Sequence, residues 1–498
     1  MEYNNLDETL KGFLDFKDTP YAFSYIDGVL SIYPNTEEEW KKNQMDIFKS
    51  FSVKRKGDVI NNINLFGVLS NGQDVIFNIS EQGSNNNGFL SFNVNSYYVY
   101  RKNEKYYREN AERKRIIYEE ENHINEIVIS GRDIDLFLDP ALVYSSEIIF
   151  DESVQKNIFN VSTPCGTEDE FCGKLEWKDM EINIFIHSIV TMKPYMKIPL
   201  VSKSELILKF SVPITVELME SILLSLKQCF VFICRRFNIK FESIKTISYS
   251  LQGKRIDFGK YIILNSFNEE ETNVNVNKRI ISYEFLKDKF ATLFKAFLED
   301  KMYINNIPNN LSEINMYGPE RIIFNFVAFE REYQNLYPET TVRSQEFLDA
   351  KQKVIESIDE LILTNSGKRK KYLKSFRHSI TKIENSFGRR LKDVIIDDKE
   401  YMIPFLIHNY GEDYDEKIEE FCARMNDLRN DSAHGNFITD INKEIVFDFE
   451  ILECLLYIMR LKDIGMSVSE GQKAVAKLMG INITNSSERT QESKNAET

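Results

Sequence analysis

The stretch Leu428–Gly435, LRNDSAHG, holds Arg429 and His434 with four residues between them, in a chain with only 5 histidines. These two residue types can cleave a phosphodiester that carries its own nucleophile. In RNA the 2′-hydroxyl attacks the neighbouring phosphorus once its proton is taken, and the 5′-oxygen leaves once it is protonated. An imidazole titrating near neutral pH can do either job. A permanently charged, forked guanidinium can bind the phosphate and stabilise the charge that builds in the transition state. The products would be a 2′,3′-cyclic phosphate and a 5′-hydroxyl, formed with no metal and no cofactor. The competing reading is a helix end whose histidine caps the last carbonyls. Arg and His recur at this spacing by chance, so the residues alone leave both readings open.

The element that must position the pair is legible. In DEKIEEFCARMNDLRN, Ile418, Phe421, Cys422, Met425 and Leu428 form one helical stripe, and Arg429 lies beside its end. Five residues of a regular helix turn by about 140° in projection, so Arg429 and His434 diverge. They converge only if the helix breaks around NDSAH, where Asn, Asp and Ser compete for backbone hydrogen bonds, or if a second chain completes the site. Gly435 suits a helix end.

A second candidate region is basic. Residues 367–392 carry ten Lys and Arg against one acid, Glu384, interleaved with Tyr372, Phe376 and Phe387. Lys370, Lys371, Lys374 and Arg377 are the candidate RNA-backbone contacts in this run. The alternative is a solvated face paired with the acidic stretch that follows. His378 reads as a surface or RNA-contacting residue; His123, His187 and His408 read as structural.

Other chemistries lack their motifs. There is no G-x-x-x-x-G-K-[ST] loop, no H-E-x-x-H and no G-x-S-x-G, which removes support for a nucleotide hydrolase, a zinc protease or a serine hydrolase. Cys165, Cys172, Cys229, Cys234, Cys422 and Cys454 show no paired zinc spacing and are too sparse for a disulfide scaffold, so buried thiols are expected. The net charge of -14 argues against a general nucleic-acid coat, though not against a local basic site. The apolar run at 229–234 is far shorter than the roughly 20 residues a membrane span needs. The polar, acidic N-terminus resembles no signal peptide. A soluble, cytoplasmic protein is expected.

The chain changes character along its length. INLFGVLSNGQDVIFNIS predicts a hairpin around Asn71-Gly72, and Leu90, Phe92 and Val94 alternate as one face of a strand. After Pro213 the spacing turns helical and then returns to a strand at IKTISYSL. The polar stretch 265–279 is the boundary candidate. Beyond it, 283–300, Ile322–Leu336, 347–363, 415–430 and 444–466 all show helical spacing, with Gly465 as a stop for the last. The expected fold is α+β and multidomain: a β-rich N-terminal domain over 1–270, an all-α bundle over 280–482, and a disordered tail over 483–498.

A helical C-terminal module with R-N-x3-H near a helix end, followed by a long apolar helix, resembles the HEPN superfamily. HEPN ribonucleases carry R-x4-6-H, often with Asn after the Arg, which maps onto Arg429, Asn430 and His434. Glu330, in FVAFEREY, matches the acidic residue the family tends to carry on an earlier helix. The whole architecture resembles the ApeA-like phage-defence proteins. The resemblance implies a metal-independent endoribonuclease of an abortive-infection system, acting on RNA, with tRNA as the natural substrate candidate, after a phage-derived protein trigger. It also implies a homodimer or higher oligomer with two motifs facing one cleft. In that scheme His434 is the general acid/base, Arg429 clamps the phosphate, Asn430 orients one of them or binds the phosphate, and Glu330 orients Arg429 or tunes His434. The alternative is a non-catalytic module that binds nucleotides or proteins, with a β-sandwich as its recognition domain.

Overall fold

The computed structural model describes residues 9–16, 19–36, 38, 41, 62–86, 89–100, 105–109, 112–116, 123–138, 145–151, 153, 155–162, 169–192, 200–249, 253–264, 279–337, 345–382, 386–436 and 442–482. Cys165, Glu384, most of the proposed boundary stretch (265–278) and the tail 483–498 lie outside the described residues. The chain is α+β, as expected from the patterning. It divides into two compact units: residues 1–225 with 238–270, and residues 226–237 with 271–498.

In the first unit, β1 (Leu10–Phe16), β2 (Thr19–Ile26), β3 (Val29–Tyr33), β4 (Asn62–Leu69), β5 (Asp74–Asn86) and β6 (Phe89–Tyr100) close on themselves in the order β1-β2-β3-β6-β5-β4. The six strands form an antiparallel barrel, where the alternative, non-catalytic reading had named a β-sandwich. The closing seam pairs Gly12 with Leu69 and Leu14 with Gly67. A Cβ at Gly12 would lie 2.0 Å from the Val68 carbonyl oxygen, so glycine lets the two strands meet. Six strands enclose only enough space for side chains, and Phe23, Tyr25, Phe77, Leu90, Phe92 and Tyr97 are among those that fill it. The alternating triplet Leu90, Phe92 and Val94 points inward, and the hairpin turns at Asn71-Gly72 as predicted.

Strand β6 also belongs to a second sheet. Its far end, Ser96–Tyr100, pairs on one side with β5 and on the other with β16 (Arg255–Ile263). The sheet continues through β15 (Ser243–Tyr249), β9 (Ile124–Ser130), β14 (Leu200–Ile214), β13 (Met180–Met192) and β12 (Glu170–Trp177). Two hairpins stand apart from this sheet: β7 (Lys105–Glu109) with β8 (Glu112–Ile116), and β10 (Ser145–Asp151) with β11 (Lys156–Ser162). A short helix α1 (Arg132–Phe137) follows β9, and α2 (Val216–Cys234) follows β14.

The second unit is helical. It contains α3 (Tyr283–Leu286), α4 (Phe290–Leu298), α5 (Pro319–Leu336), α6 (Gln345–Thr364), α7 (Gly367–Lys382), α8 (Phe387–Asp397), α9 (Lys399–Tyr410), α10 (Tyr414–Ala433), α11 (Lys443–Asp463) and α12 (Val468–Met479). The apolar stripe read over 283–300 is not one helix, because a 3-10 turn at Lys287–Lys289 divides it. Helix α11 is the core element: an unbroken run from Ile451 to Leu461 is buried, and α5, α9 and α12 pack around it. Gly465 ends it in a left-handed turn, with its N–H donating to the Lys462 carbonyl. Helices α6 and α7 form a hairpin of another kind. Their apolar spacing is helical, yet no described residue of either helix is buried.

A candidate site where helices α5, α8 and α10 meet

Helix α5 begins at Pro319, a residue whose fixed φ suits a first helical turn. It buries Ile322, Phe326 and Phe329 along one stripe. Glu330 sits beside that stripe and is partly exposed. Helix α8 starts at the Ser386 cap, whose hydroxyl accepts the Arg389 N–H. Its first residue, Phe387, inserts edge-on between Phe326 and Phe329, with ring centroids 5.2 and 5.1 Å away. Its second, Gly388, lies against the backbone of α10 at Cys422, and the Gly388 N–H donates to Asn426 Oδ1 at 3.3 Å. These two contacts bring α8 onto both partner helices and aim Arg390 at the junction.

Three charged side chains converge there. Arg429 donates to Glu330 Oε1 from Nε at 3.2 Å and from Nη2 at 3.1 Å. Arg390 Nη2 lies 3.4 Å from the same oxygen. The Arg390 guanidinium also lies over the Tyr333 ring, 5.4 Å from its centroid, and Tyr333 stacks on Tyr337. Two guanidinium groups facing one carboxylate leave one positive charge uncompensated. Arg429 is the accessible member, with its side chain 37% exposed against 16% for Arg390.

His434 stands elsewhere on the same helix. The α-helical run continues without a break to Ala433, and His434 is its C-cap. The end is a tight double-bonded turn: the Gly435 N–H donates to Ser432 and the Asn436 N–H to Asp431, with Gly435 at φ 78°. The break around NDSAH that would have swung the two residues together is absent. His434 is exposed at the helix end, and no hydrogen bond joins it to Arg429 among the described residues. Asn430 is exposed on the last turn, and its carbonyl accepts the His434 N–H at 3.1 Å. The structure thus brings Glu330 to Arg429, leaves Asn430 facing solvent, and holds His434 apart from Arg429.

The basic residues of α7 do not join this group among the described residues. Lys371, Lys374 and Arg377 are exposed and Lys370 half-buried. Arg377 is engaged with Asp359 across the hairpin at 2.6 Å. His378 is exposed on the same helix. His187, read as structural, lies 3.3 Å from Asp169, which also binds Lys209 at 2.9 Å. His123 packs against Phe258, their ring centroids 4.3 Å apart. Cys172, Cys229, Cys234, Cys422 and Cys454 are buried, and burial pushes the Cys422 thiol up to about 12, far from a reactive thiolate. Among the described residues no group of His, Cys, Asp and Glu is placed to hold a metal ion, and no helix is long and apolar enough to cross a membrane.

Arg390 is the residue the motif reading passed over. It lay inside the basic run, but nothing in the sequence separated it from nine other cations. The signal that could have found it is the helix start at Ser386, which fixes the face of α8 on which Phe387, Arg390 and Leu391 fall. No protein-family model, curated protein or solved structure matches this chain.

Proposed function

We propose that the chain is a metal-independent endoribonuclease of the HEPN type, in which Arg429 binds and stabilises the scissile phosphate and His434 moves protons to and from the ribose and leaving oxygens. The observation that carries this reading is the Arg429–Glu330 contact: the motif arginine, half-exposed, is held in a fixed orientation by the acidic residue that the same motif reading singled out 99 positions earlier. Along a continuous helix five residues turn by about 140°, which favours a site shared between chains. The reading therefore includes a second copy, so that the His434 of one chain serves the Arg429 of the other. Cleavage of tRNA, and control by a phage-derived protein in abortive infection, complete the proposal.

The experiment is incubation of the purified protein with total tRNA in EDTA, with and without candidate phage proteins, beside Arg429→Ala and His434→Ala. Expected are cleavage by the wild type, cyclic-phosphate ends, and loss of cleavage in both variants. An inert wild type under every condition, or His434→Ala cleaving as well as the wild type, ends the proposal.

A second reading draws on the same helix end. His434 occupies the C-cap of a well-formed terminal turn, which favours a non-catalytic module in which the arginines bind a phosphate and the histidine only closes the helix. It predicts RNA binding without cleavage.

A further inference from the structure

We infer that Arg390 and Arg429 together form one anion site for a phosphodiester, with Glu330 the internal carboxylate that holds the two forks side by side until the anion arrives. The identity of that phosphodiester as RNA rests on the nuclease reading above; the paired site itself does not.

Four structural features single out Arg390. Its Nη2 converges on the same carboxylate oxygen as both donors of Arg429. Glu330 is its only acid among the described residues, whereas its neighbours have their own: Arg389 pairs with Asp393 at 3.3 Å and Lys392 with Glu419 at 2.7 Å. Its Nε is buried and makes no hydrogen bond, so a strong donor is left unused at the junction. Its position is fixed by the Tyr333 ring on one side and the Phe387 and Gly388 contacts on the other.

Two like-charged forks repel each other unless an anion lies between them, so Glu330 keeps an empty site assembled. A phosphodiester offers two non-bridging oxygens, and two guanidinium forks can take one each or share both. The uncompensated positive charge supplies the attraction. Glu330 then competes with the incoming phosphate, and its removal should tighten binding while loosening the geometry that cleavage needs.

The test uses the full chain and a fluorescein-labelled single-stranded oligodeoxyribonucleotide, which lacks the 2′-hydroxyl and so binds without being cut. Anisotropy is measured across a sodium chloride series. The expected result is binding by the wild type, weakened about tenfold at low salt in Arg390→Ala, as for loss of one charge-assisted contact. The slope of log affinity against log salt should fall in magnitude by about 0.7, the single-strand value for one phosphate contact. Arg390→Lys should keep the slope and recover part of the affinity. Glu330→Gln should bind more tightly than the wild type, which a merely structural Glu330 would not produce. Should Arg390→Ala fail to fold, the Arg390→Lys and Glu330→Gln comparisons decide. Wild-type affinity and slope in Arg390→Ala, or no binding by the wild type at low salt, overturns the site. A wild type that binds through Arg390 but leaves tRNA intact keeps the site and removes the nuclease. A wild type whose tRNA cleavage is unaffected by Arg390→Ala, with binding also unchanged, does the reverse.

Discussion

A Cβ built at Gly388 would lie 2.7 Å from the Cys422 carbonyl oxygen and 3.0 Å from Asn426 Cβ, closer than side-chain carbons normally come. The obstacle is backbone, so it cannot swing aside. Gly388→Ala must push α8 away from α10, and with it Arg390 away from Arg429. We expect a stability loss of about 1–3 kcal/mol, typical of one extra methyl in a packed contact, and a fall in Tm by thermal denaturation. An unchanged Tm would show that the helices give without cost. At this scale the sequence was partly legible. Arg429 was found through its spacing from His434, and Glu330 through the acidic residue that the HEPN resemblance implies on an earlier helix. Arg390 was not, because its role comes from a neighbour 60 positions away in sequence (Glu330) and 39 away on the other side (Arg429). No local spacing encodes such a convergence.

Among the elements, α11 carries the most consequential polar group in the helical unit. Glu453 is 3% exposed and accepts from Arg321 at 2.8 Å and Asn325 at 3.1 Å, and it binds Arg235. Burial alone would push its carboxyl up, but Arg321 and Arg235 outweigh that, and it lies below the ordinary value of 4.5. A carboxyl whose value is lowered on folding contributes stability above the unfolded value, and the contribution is lost as the pH falls through the folded one. Glu453 therefore stabilises the protein fully at neutral pH, and acid unfolding should set in below about pH 4.5. Glu453→Gln leaves two buried guanidiniums without their charge partner and should cost about 3–5 kcal/mol at pH 7, with a shallower loss on acidification. Denaturant unfolding at pH 7 and pH 4 checks both parts; equal destabilisation at the two pH values would contradict the assignment. Helical periodicity announced α5 and α10 because each buries a stripe, whereas α11, buried throughout Ile451–Leu461, was announced by its apolar run. The same periodicity in α6 announced a helix but not its exposure, since a stripe shows that an apolar face exists and not what covers it.

At the scale of the whole molecule, the unbroken α10 turns an angular objection into a subunit question. If Arg429 of one copy works with His434 of another, a mixture of Arg429→Ala and His434→Ala chains regains activity, because a mixed dimer holds one complete site. Random pairing makes half the dimers mixed, each with one working site of two, so about a quarter of wild-type cleavage should return. No recovery after verified subunit exchange would place both groups within one chain. The broad layout, β-rich and then helical, was readable from the change in apolar period. The closure of six strands into a barrel was not, because it depends on the pairing of β1 with β4, which no local pattern announces.

The residue assignment of the two units has a further implication for inheritance. Residues 226–237, the end of α2 and the turn after it, belong with the helices that begin some forty residues later. They supply Arg235 to Glu453 and the Phe232 ring stacked on Tyr457, 4.5 Å between centroids. A recombination breakpoint at 270 would carry the arginine–histidine motif into a new gene without either of them. A fragment cut at 270 would therefore lack both contacts to α11, and a helical unit that keeps its centre needs residues 226–237 as well.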